Sequence, residues 1–365
     1  MSGSPTLSVL VPNFNHGRHL PESLGAILGQ SYRPLEIIVA DDCSTDGSRE
    51  VLENIARTTG RIRLVANTRN LGAVGNSNRL LELASGDYVY FASADDRVLP
   101  GLFERSMRML EQHPQAGLCS TLARMMDPSG DDCGLYRSRI VSASPAFLSP
   151  AQCLATLRWH GNWIVGCTLF IRRRAVLEAG GFIEELGPFI DGFTQQVVAL
   201  RSGACFIPQA LGCWRATPSG YSAAEGRNCE RYLEYLGHML DLMRTRYADL
   251  FPSDYIDVYE RECLFGAAAN ARRVMNSACD VYVDRLERAL SPVTRFDRIL
   301  IRAVRSSIRL QTCVMNGYVF ARRRRITWEM VRRWSGCFAR AFGHRAAHAA
   351  VPARTENFDA SRRAP

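Results

Sequence analysis

Four short runs of apolar, largely β-branched residues begin at Leu7, Leu35, Ile62 and Tyr88, each start 26 to 28 residues after the last. Between them the segments 18–30, 46–58 and 73–84 carry Leu, Ile and Ala at helical spacing. The runs LSVLVP, LEIIVA, IRLVAN and DYVYFA are near-continuously apolar, as strands of a parallel sheet covered on both faces must be. The succession of strand and helix therefore predicts an α/β fold, with a mostly parallel sheet flanked by helices. In such open sheets a ligand binds beyond the carboxyl ends of the strands. The residues at those ends are Asn13 and Asn15, Asp41 and Asp42, Asn67 and Asn70, and Asp95 and Asp96. Ser44 or Thr45 is a natural N-cap for the second helix.

Further along, the pattern predicts a helix from Gly101 to Gln112 and a strand from Ala116 to Thr121, then a Ser/Pro-rich loop over 127–150. Trp163 to Ile171 resumes the core, and a short helix from Arg173 to Ala179 is stopped by Gly180-Gly181. Asp191 stands just before a helical run, Phe193 to Arg201, and the strand-like ACFIP leads to Trp214-Arg215. Beyond Arg227 the pattern is helical to Phe342, and the last twenty residues have the composition of a disordered tail. The expected division is an α/β domain over 1–225, an all-α C-terminal extension over 226–345 and a disordered tail over 346–365.

All 45 basic residues are arginine, so every mechanism that needs a lysine amine is excluded, including Schiff-base chemistry and the lysine-dependent phosphate loops. The charge is lopsided. Residues 285–365 hold 18 Arg against 5 acids, while residues 1–284 hold 27 Arg against 31 acids. The 12 cysteines include no CxxC pair and no Cys/His cluster at zinc spacing, which favours reduced thiols in a cytoplasmic setting. The N-terminus lacks the pattern of a signal peptide, and the longest uncharged run, Ile140 to Leu157, is broken by Pro145 and Pro150.

No GxGxxG follows any strand, so the sheet has no dinucleotide fingerprint. The strand ends offer carboxamides and carboxylates instead. Carboxamides with an Asp at the first two ends can hydrogen-bond the polar edge of a base. Acids at the fourth suit a diphosphate only with Mg²⁺ or Mn²⁺ between them. The pattern points to a nucleotide diphosphate ligand. Each residue also has a plainer role: Asp41, Asp42 and Asp46 suit turns and helix starts, Asp95-Asp96 suits a solvated turn, and Asp191 suits a helix N-cap. Trp214 reads as a core residue and Arg215 as one half of a surface ion pair.

The segments VPNFN at 11–15, ADDCSTDGS at 40–48, NLGAVGNSN at 70–78, SGDYVYFASADD at 85–96, GGFIEEL at 180–186 and the Asp191 region together resemble glycosyltransferase family 2, the inverting GT-A fold. The resemblance covers about residues 6–216, in order and correctly spaced. It implies a nucleotide-sugar donor, usually a uridine diphosphate sugar, a divalent metal and a single catalytic carboxylate. Carried over by position, Pro12, Asn13 and Asn15 resemble the loop around the base, and Asp42 with Asp41 the base-binding acid. The segment from Asn70 to Asn78 resembles the donor lining. Asp95, with Asp96 beside it, corresponds to the end of the DxD metal motif, Asp191 to the general base, and Arg215 to an arginine near the diphosphate or acceptor. The chain departs from the family at Ser93, where the first Asp of DxD is usual, and at Ile190 and Gly192, which leave Asp191 without a second acid beside it. Glu184 and Glu185 are the reserve bases.

These features imply transfer of a sugar to a hydroxyl of a carbohydrate or lipid-linked acceptor in cell-surface polysaccharide or glycolipid synthesis. The alternatives are a non-catalytic nucleotide-sugar-binding protein on a degenerate transferase scaffold and a nucleotidyltransferase, the latter disfavoured by the missing basic loop after the first strand. In the tail, Arg295, Arg298, Arg302, Arg305 and Arg309 recur at three- and four-residue spacing opposite Phe296, Ile299, Leu300 and Val304. A second such helix follows ARRRR, with Trp328 and Trp334 among Arg332, Arg333 and Arg340. Cationic faces edged with tryptophan suit an anionic membrane surface, here the inner face, or packing on the catalytic domain. Nucleic acid is the weakest option, because no known module is present.

Overall fold

The computed structural model describes residues 4–136, 139–217 and 228–274, together with Arg285 and Arg288. The first four expected strands form as β1 (Leu7–Asn13), β2 (Glu36–Asp41), β3 (Arg63–Ala66) and β4 (Tyr88–Phe91). Between them lie α1 (Leu20–Leu28), α2 (Ser48–Thr59) and α3 (Gly72–Leu83). These strands pair in parallel in the order β3-β2-β1-β4, with Asn13 beside Asp41 and Asp41 beside Ala66. The polar residues that follow each strand are thereby delivered to one edge. β1 lies between β2 and β4, so the strand order reverses there, and open α/β sheets leave a crevice at that point.

The sheet goes on through β9 (Phe170–Arg172), β6 (Leu118–Met126), β10 (Ala204–Arg215) and β5 (Arg97–Val98). β9 is antiparallel to both β4 and β6, β6 and β10 run parallel, and β5 closes the edge antiparallel to β10. The result is a mixed sheet whose parallel half carries the strand-end polar residues. The remaining helices are α4 (Leu102–Gln112), α5 (Pro150–His160), α6 (Arg173–Glu178), α7 (Ile190–Ser202), α8 (Cys229–Arg244) and α9 (Ser253–Val274).

The core sits between the sheet and its helices, with Leu7, Val9, Val11, Ile37 and Val39 at most 2% exposed. Each such side chain contributes about 1.5–3 kcal/mol by leaving water. Tyr90, Phe103 and Phe170 pack ring against ring at 5.0–5.7 Å and bind β4 to α4 and β9. On α7 every residue from Phe193 to Leu200 is buried, which makes this helix central rather than a surface cover. Phe193 meets Tyr247 and Phe251, and Tyr247 Oη donates to the Ala179 carbonyl at 2.9 Å.

Several local expectations change. Ser44 and Thr45 do not cap α2: Gly47 stands at the N-cap in the left-handed region, and Asp46 accepts from the Ser48 N–H at 3.0 Å. The 127–150 segment contains two short strands, β7 (Asp132–Leu135) on β6 and β8 (Ala146–Leu148) on β10. α7 begins at Ile190, three residues before the expected run, so Asp191 lies in its first turn instead of capping it. β10 is a twelve-residue strand whose register against β6 shifts between Ile207 and Ala210 and again between Ala210 and Gly212.

The chain forms two compact units, Met1–Ala267 and Ala268–Pro365. α8 and the start of α9 belong to the first, so that unit extends well past the expected division at 225. Asn228 caps α8 by accepting from the N–H groups of Glu230 and Arg231. The amphipathic helices expected over 295–309 and 328–342 and the tail over 346–365 lie outside the described residues.

Candidate active site

At the carboxyl edge of β1 and β2 the side chains tie one another into a fixed ledge. Asn13 Nδ2 donates to Asp41 Oδ1 at 2.8 Å, and Ser44 Oγ donates to the same oxygen at 2.6 Å. Asn13 is fully buried and its Oδ1 has no partner among the described residues. Asn15 takes a left-handed backbone, φ 58°, and its Oδ1 accepts from the Thr45 N–H at 2.8 Å. Asn tolerates that region better than other residues with a Cβ. Asp42 is 2% exposed, and its Oδ1 accepts from Asn67 Nδ2 at 2.6 Å and from the Leu71 N–H at 2.8 Å. Asn70 Nδ2 donates to the Asp42 carbonyl at 3.2 Å. Asn13, Asn15, Asp41, Asp42 and Asn70 are thus one connected polar rim, built from three strand ends.

Beside this rim opens a cavity of about 370 Å³. Pro12 at the end of β1, Ser93 and Asp96 after β4, Asp191 and Gln195 on α7 and Trp214 on β10 all line it. Of the expected residues, Pro12, Asp96 and Asp191 come together here from three distant parts of the chain, joined by Ala73, Val74 and Ser77 of the 70–78 segment, whereas Asn13, Asn15, Asp41, Asp42, Asn70, Asn78, Asp95 and Arg215 do not line it. Glu184 and Glu185 are exposed and line no part of it.

Asp191 is exposed to the solvent of the cavity, yet enough protein packs around its carboxyl to strip part of its hydration. Burial is the one cause that raises its carboxyl above the ordinary value, and no described cation or hydrogen-bond donor opposes it. A carboxylate held this way is a stronger base than one in free water.

Asp96 is 7% exposed, and its carboxyl is pushed up to about 7, first by burial and then by the neighbouring charge of Asp95. Two adjacent acids that resist joint ionisation are relieved by a divalent cation. Among the described residues no group of three or more His, Cys, Asp or Glu side chains could hold a metal. Asp95 and Asp96 fit the commoner Mg²⁺-type arrangement of one or two carboxylates, completed by waters and substrate phosphates.

Two residues expected at the donor, Arg215 and Asn78, are tied to protein partners. Arg215 is not at the surface: its side chain is 1% exposed. Nε donates to the Asp95 carbonyl at 2.8 Å, Nη1 to the Pro128 carbonyl at 3.2 Å, and Nη2 to Glu22 Oε2 at 2.7 Å. The guanidinium is held by these protein partners. Asn78 likewise pairs both ways with Phe182, Nδ2 donating to its carbonyl at 2.8 Å and Oδ1 accepting from its N–H at 2.9 Å. Gly181 allows that approach, because a Cβ there would lie 2.9 Å from Asn78 Oδ1. Conversely, Trp214 is not a core residue. It is 40% exposed at the cavity, edge to face with Tyr136 at 5.4 Å. Gln195 gave no sequence signal beyond its helical spacing from Asp191.

Comparison with known proteins agrees with this geometry. The family model described as Glycosyl transferase family 2 matches residues 8–178. An uncharacterised protein of Mycobacterium tuberculosis, MT1568, is 31% identical over 223 residues, which are 58% of this chain and 68% of that protein. The GalNAc(5)-diNAcBac-PP-undecaprenol beta-1,3-glucosyltransferase of Campylobacter jejuni is 38% identical over 105 residues, 28% of this chain and 34% of that enzyme. The chain spans about half or less of the length of several other curated relatives that it matches. In fold, it resembles S. aureus TarS 1–349 in complex with UDP-GlcNAc, with a TM-score of 0.58, 14% identity and coverage of 93% and 92% of the two chains. It also resembles the mannosyltransferase PcManGT of Pyrobaculum calidifontis in complex with GDP-Man and Mn²⁺, with a TM-score of 0.52, 19% identity and coverage of 83% and 85%.

Proposed function

We propose, from the premise that the chain belongs to glycosyltransferase family 2, that it moves a sugar from a uridine diphosphate donor to an acceptor hydroxyl with inversion at the anomeric carbon. The observation that carries this reading is the convergence of Asp191 and Asp96 on one cavity beside the polar rim of Asn13, Asp41 and Asp42. The rim offers carboxamide and carboxylate groups to the edge of a base. The Asp96 side of the cavity receives the diphosphate, and the α7 side receives the acceptor.

In the reaction, Asp191 takes the proton of the acceptor hydroxyl as that oxygen bonds to the anomeric carbon. The bond from that carbon to the diphosphate oxygen breaks, and its electron pair leaves with the nucleotide. A single displacement with the base on the side opposite the leaving group inverts the configuration. No described side chain donates to the Asp191 carboxylate, so an acceptor hydroxyl entering the cavity meets a base with no protein partner to displace. Asp95 and Asp96 would hold Mg²⁺ or Mn²⁺, which supplies compensation for the charge of the departing diphosphate. Arg215 keeps the two acids in place through the Asp95 carbonyl and its own N–H to Asp96.

PcManGT was seen with Mn²⁺ and TarS with UDP-GlcNAc, which supports a metal-assisted, UDP-dependent reaction here. The Campylobacter glucosyltransferase is named for a PP-undecaprenol substrate, which supports a carbohydrate or lipid-linked acceptor and a place in polysaccharide or glycolipid synthesis. No described helix is long and apolar enough to cross a membrane.

The experiment is release of nucleotide from a panel of UDP- and GDP-sugars with Mn²⁺, by wild type and Asp191→Asn. Turnover that depends on Asp191 is the expected result. Donor binding without turnover by wild type would favour a non-catalytic binding protein instead.

A further inference from the structure

Gln195 is 4% exposed, lines the same cavity as Asp191, and makes no hydrogen bond to any described residue. Its neighbour Gln196 points away into the protein, where its Oε1 accepts from Tyr255 Oη at 2.8 Å. A carboxamide in a cavity offers two donors and one acceptor to whatever enters. Gln195 follows Asp191 by four residues, one helical turn, so both side chains leave the same face of α7.

Trp214 stands on another wall of that cavity. In β10 its neighbours Cys213 and Arg215 are buried, and strand alternation turns Trp214 outward between them. An indole 40% exposed and met edge to face by Tyr136 is a broad apolar surface in a cavity whose two acids are Asp96 and Asp191.

Together these residues match one chemical class. A pyranose ring has a face of C–H groups, which packs on an aromatic surface, and a girdle of hydroxyls, which pairs with an amide. We propose that Gln195 and Trp214 form the acceptor subsite and that the acceptor is a pyranose: Trp214 packs on its C–H face, and Gln195 bonds a hydroxyl next to the one that Asp191 deprotonates. The proposal rests on the transferase reading above and narrows it from any hydroxyl acceptor to a sugar ring.

The test uses the full chain with Mn²⁺ and UDP-glucose, UDP-galactose or UDP-GlcNAc as donor. The acceptor probes are octyl glycosides of glucose, galactose and N-acetylglucosamine, with 1-octanol and a serine peptide as hydroxyls that lack a ring. The octyl glycosides are expected to raise nucleotide release above donor hydrolysis, and the ring-free alcohols are not. Gln195→Ala and Trp214→Ala should each raise KM for the glycoside about tenfold, with UDP affinity by calorimetry held within about twofold. Trp214→Phe should recover part of the loss. If Gln195→Ala fails to fold, the Trp214 pair decides. Unchanged glycoside KM in the variants, or equal stimulation by octanol or peptide, overturns the subsite alone. Absence of turnover with every UDP-sugar overturns the transferase reading and the subsite with it.

Discussion

The backbone N–H of Arg215 donates to Asp96 Oδ1 at 2.8 Å, so the last residue of β10 fixes the acid that follows β4. The guanidinium of the same residue reaches the Asp95 carbonyl, the turn at 127–128 and Glu22 on α1, and Glu22 also pairs with Arg97 at 2.8 Å. One side chain thus joins four segments around the cavity. Truncation removes a side chain that is 1% exposed and unties these segments, although Glu22, 37% exposed, keeps Arg97 and water as partners. Arg215→Ala is expected to destabilise the protein by about 2–4 kcal/mol in urea unfolding. Lysine cannot reproduce a fork of donors, so Arg215→Lys should recover little. An unchanged urea midpoint in Arg215→Ala would show that the clamp carries no stability.

Asp191 gives a prediction in pH. As the base it must be ionised, and burial raises its pKa, so the acid limb of the rate profile should lie above the ordinary carboxylate range. In Asp191→Asn turnover should fall by about 10² to 10⁴, and that limb should vanish from the residual rate. Stability has the opposite sense. A folded-state pKa above the unfolded one means that the native protein holds the proton longer. Stability from this group is then full below the unfolded value and lost as pH rises through the folded value. Equal pH dependence of unfolding in wild type and Asp191→Asn would remove this assignment.

Much of this was legible in the chain, and the failures have identifiable causes. β1, β2 and β4 could be placed because strands buried on both faces must be apolar throughout, and the ends of the first two locate Asn13, Asp41 and Asp42; β3, read the same way, is an edge strand with no buried residue. Trp214 and Arg215 could not be assigned faces. Two register shifts precede them in β10, the first of two residues and the second of one, and a net odd shift exchanges the two faces of a strand. Arg215 therefore went inward and Trp214 outward, the reverse of what their polarity suggests. Asn78 looked like donor lining, but its partner Phe182 lies 104 residues on, in a glycine turn that no local pattern connects to α3. Gln195 and Gln196 are adjacent in a wholly buried helix. Which of them meets Tyr255 and which meets the cavity depends on tertiary packing alone.

The acid pair predicts a metal effect. Asp96 lines the cavity and Asp95 is its charged neighbour, so both Asp95→Asn and Asp96→Asn should weaken Mn²⁺-dependent donor binding in calorimetric titration. Asp96→Asn keeps an oxygen for the Arg215 N–H, which limits the change to the site. Ser93→Ala should have little effect, since a hydroxyl contributes weakly to a Mg²⁺- or Mn²⁺-type site. Chelation by EDTA should reduce donor affinity in wild type to the level of the acid variants. Equal affinity with and without Mn²⁺ in wild type would end the metal role for this pair.

The last prediction concerns charge beyond the catalytic unit. Residues 285–365 carry 18 Arg against 5 acids, whereas residues 1–284 are net acidic. An arginine near an anionic leaflet contributes about 1 kcal/mol. The five from Arg295 to Arg309, at the spacing of one helix face, are enough to hold the protein reversibly at a membrane without a spanning helix. Attraction of this kind is screened: the Debye length falls from about 10 Å at 0.1 M salt to about 3 Å at 1 M. Full-length protein should therefore sediment with vesicles containing anionic lipid at low salt, release at high salt, and ignore neutral vesicles throughout. Replacing those five arginines with glutamine should abolish sedimentation while leaving UDP affinity intact. Binding that persists at 1 M salt would point to apolar insertion instead, and no binding at low salt would assign the basic segment to a protein partner or to the catalytic unit.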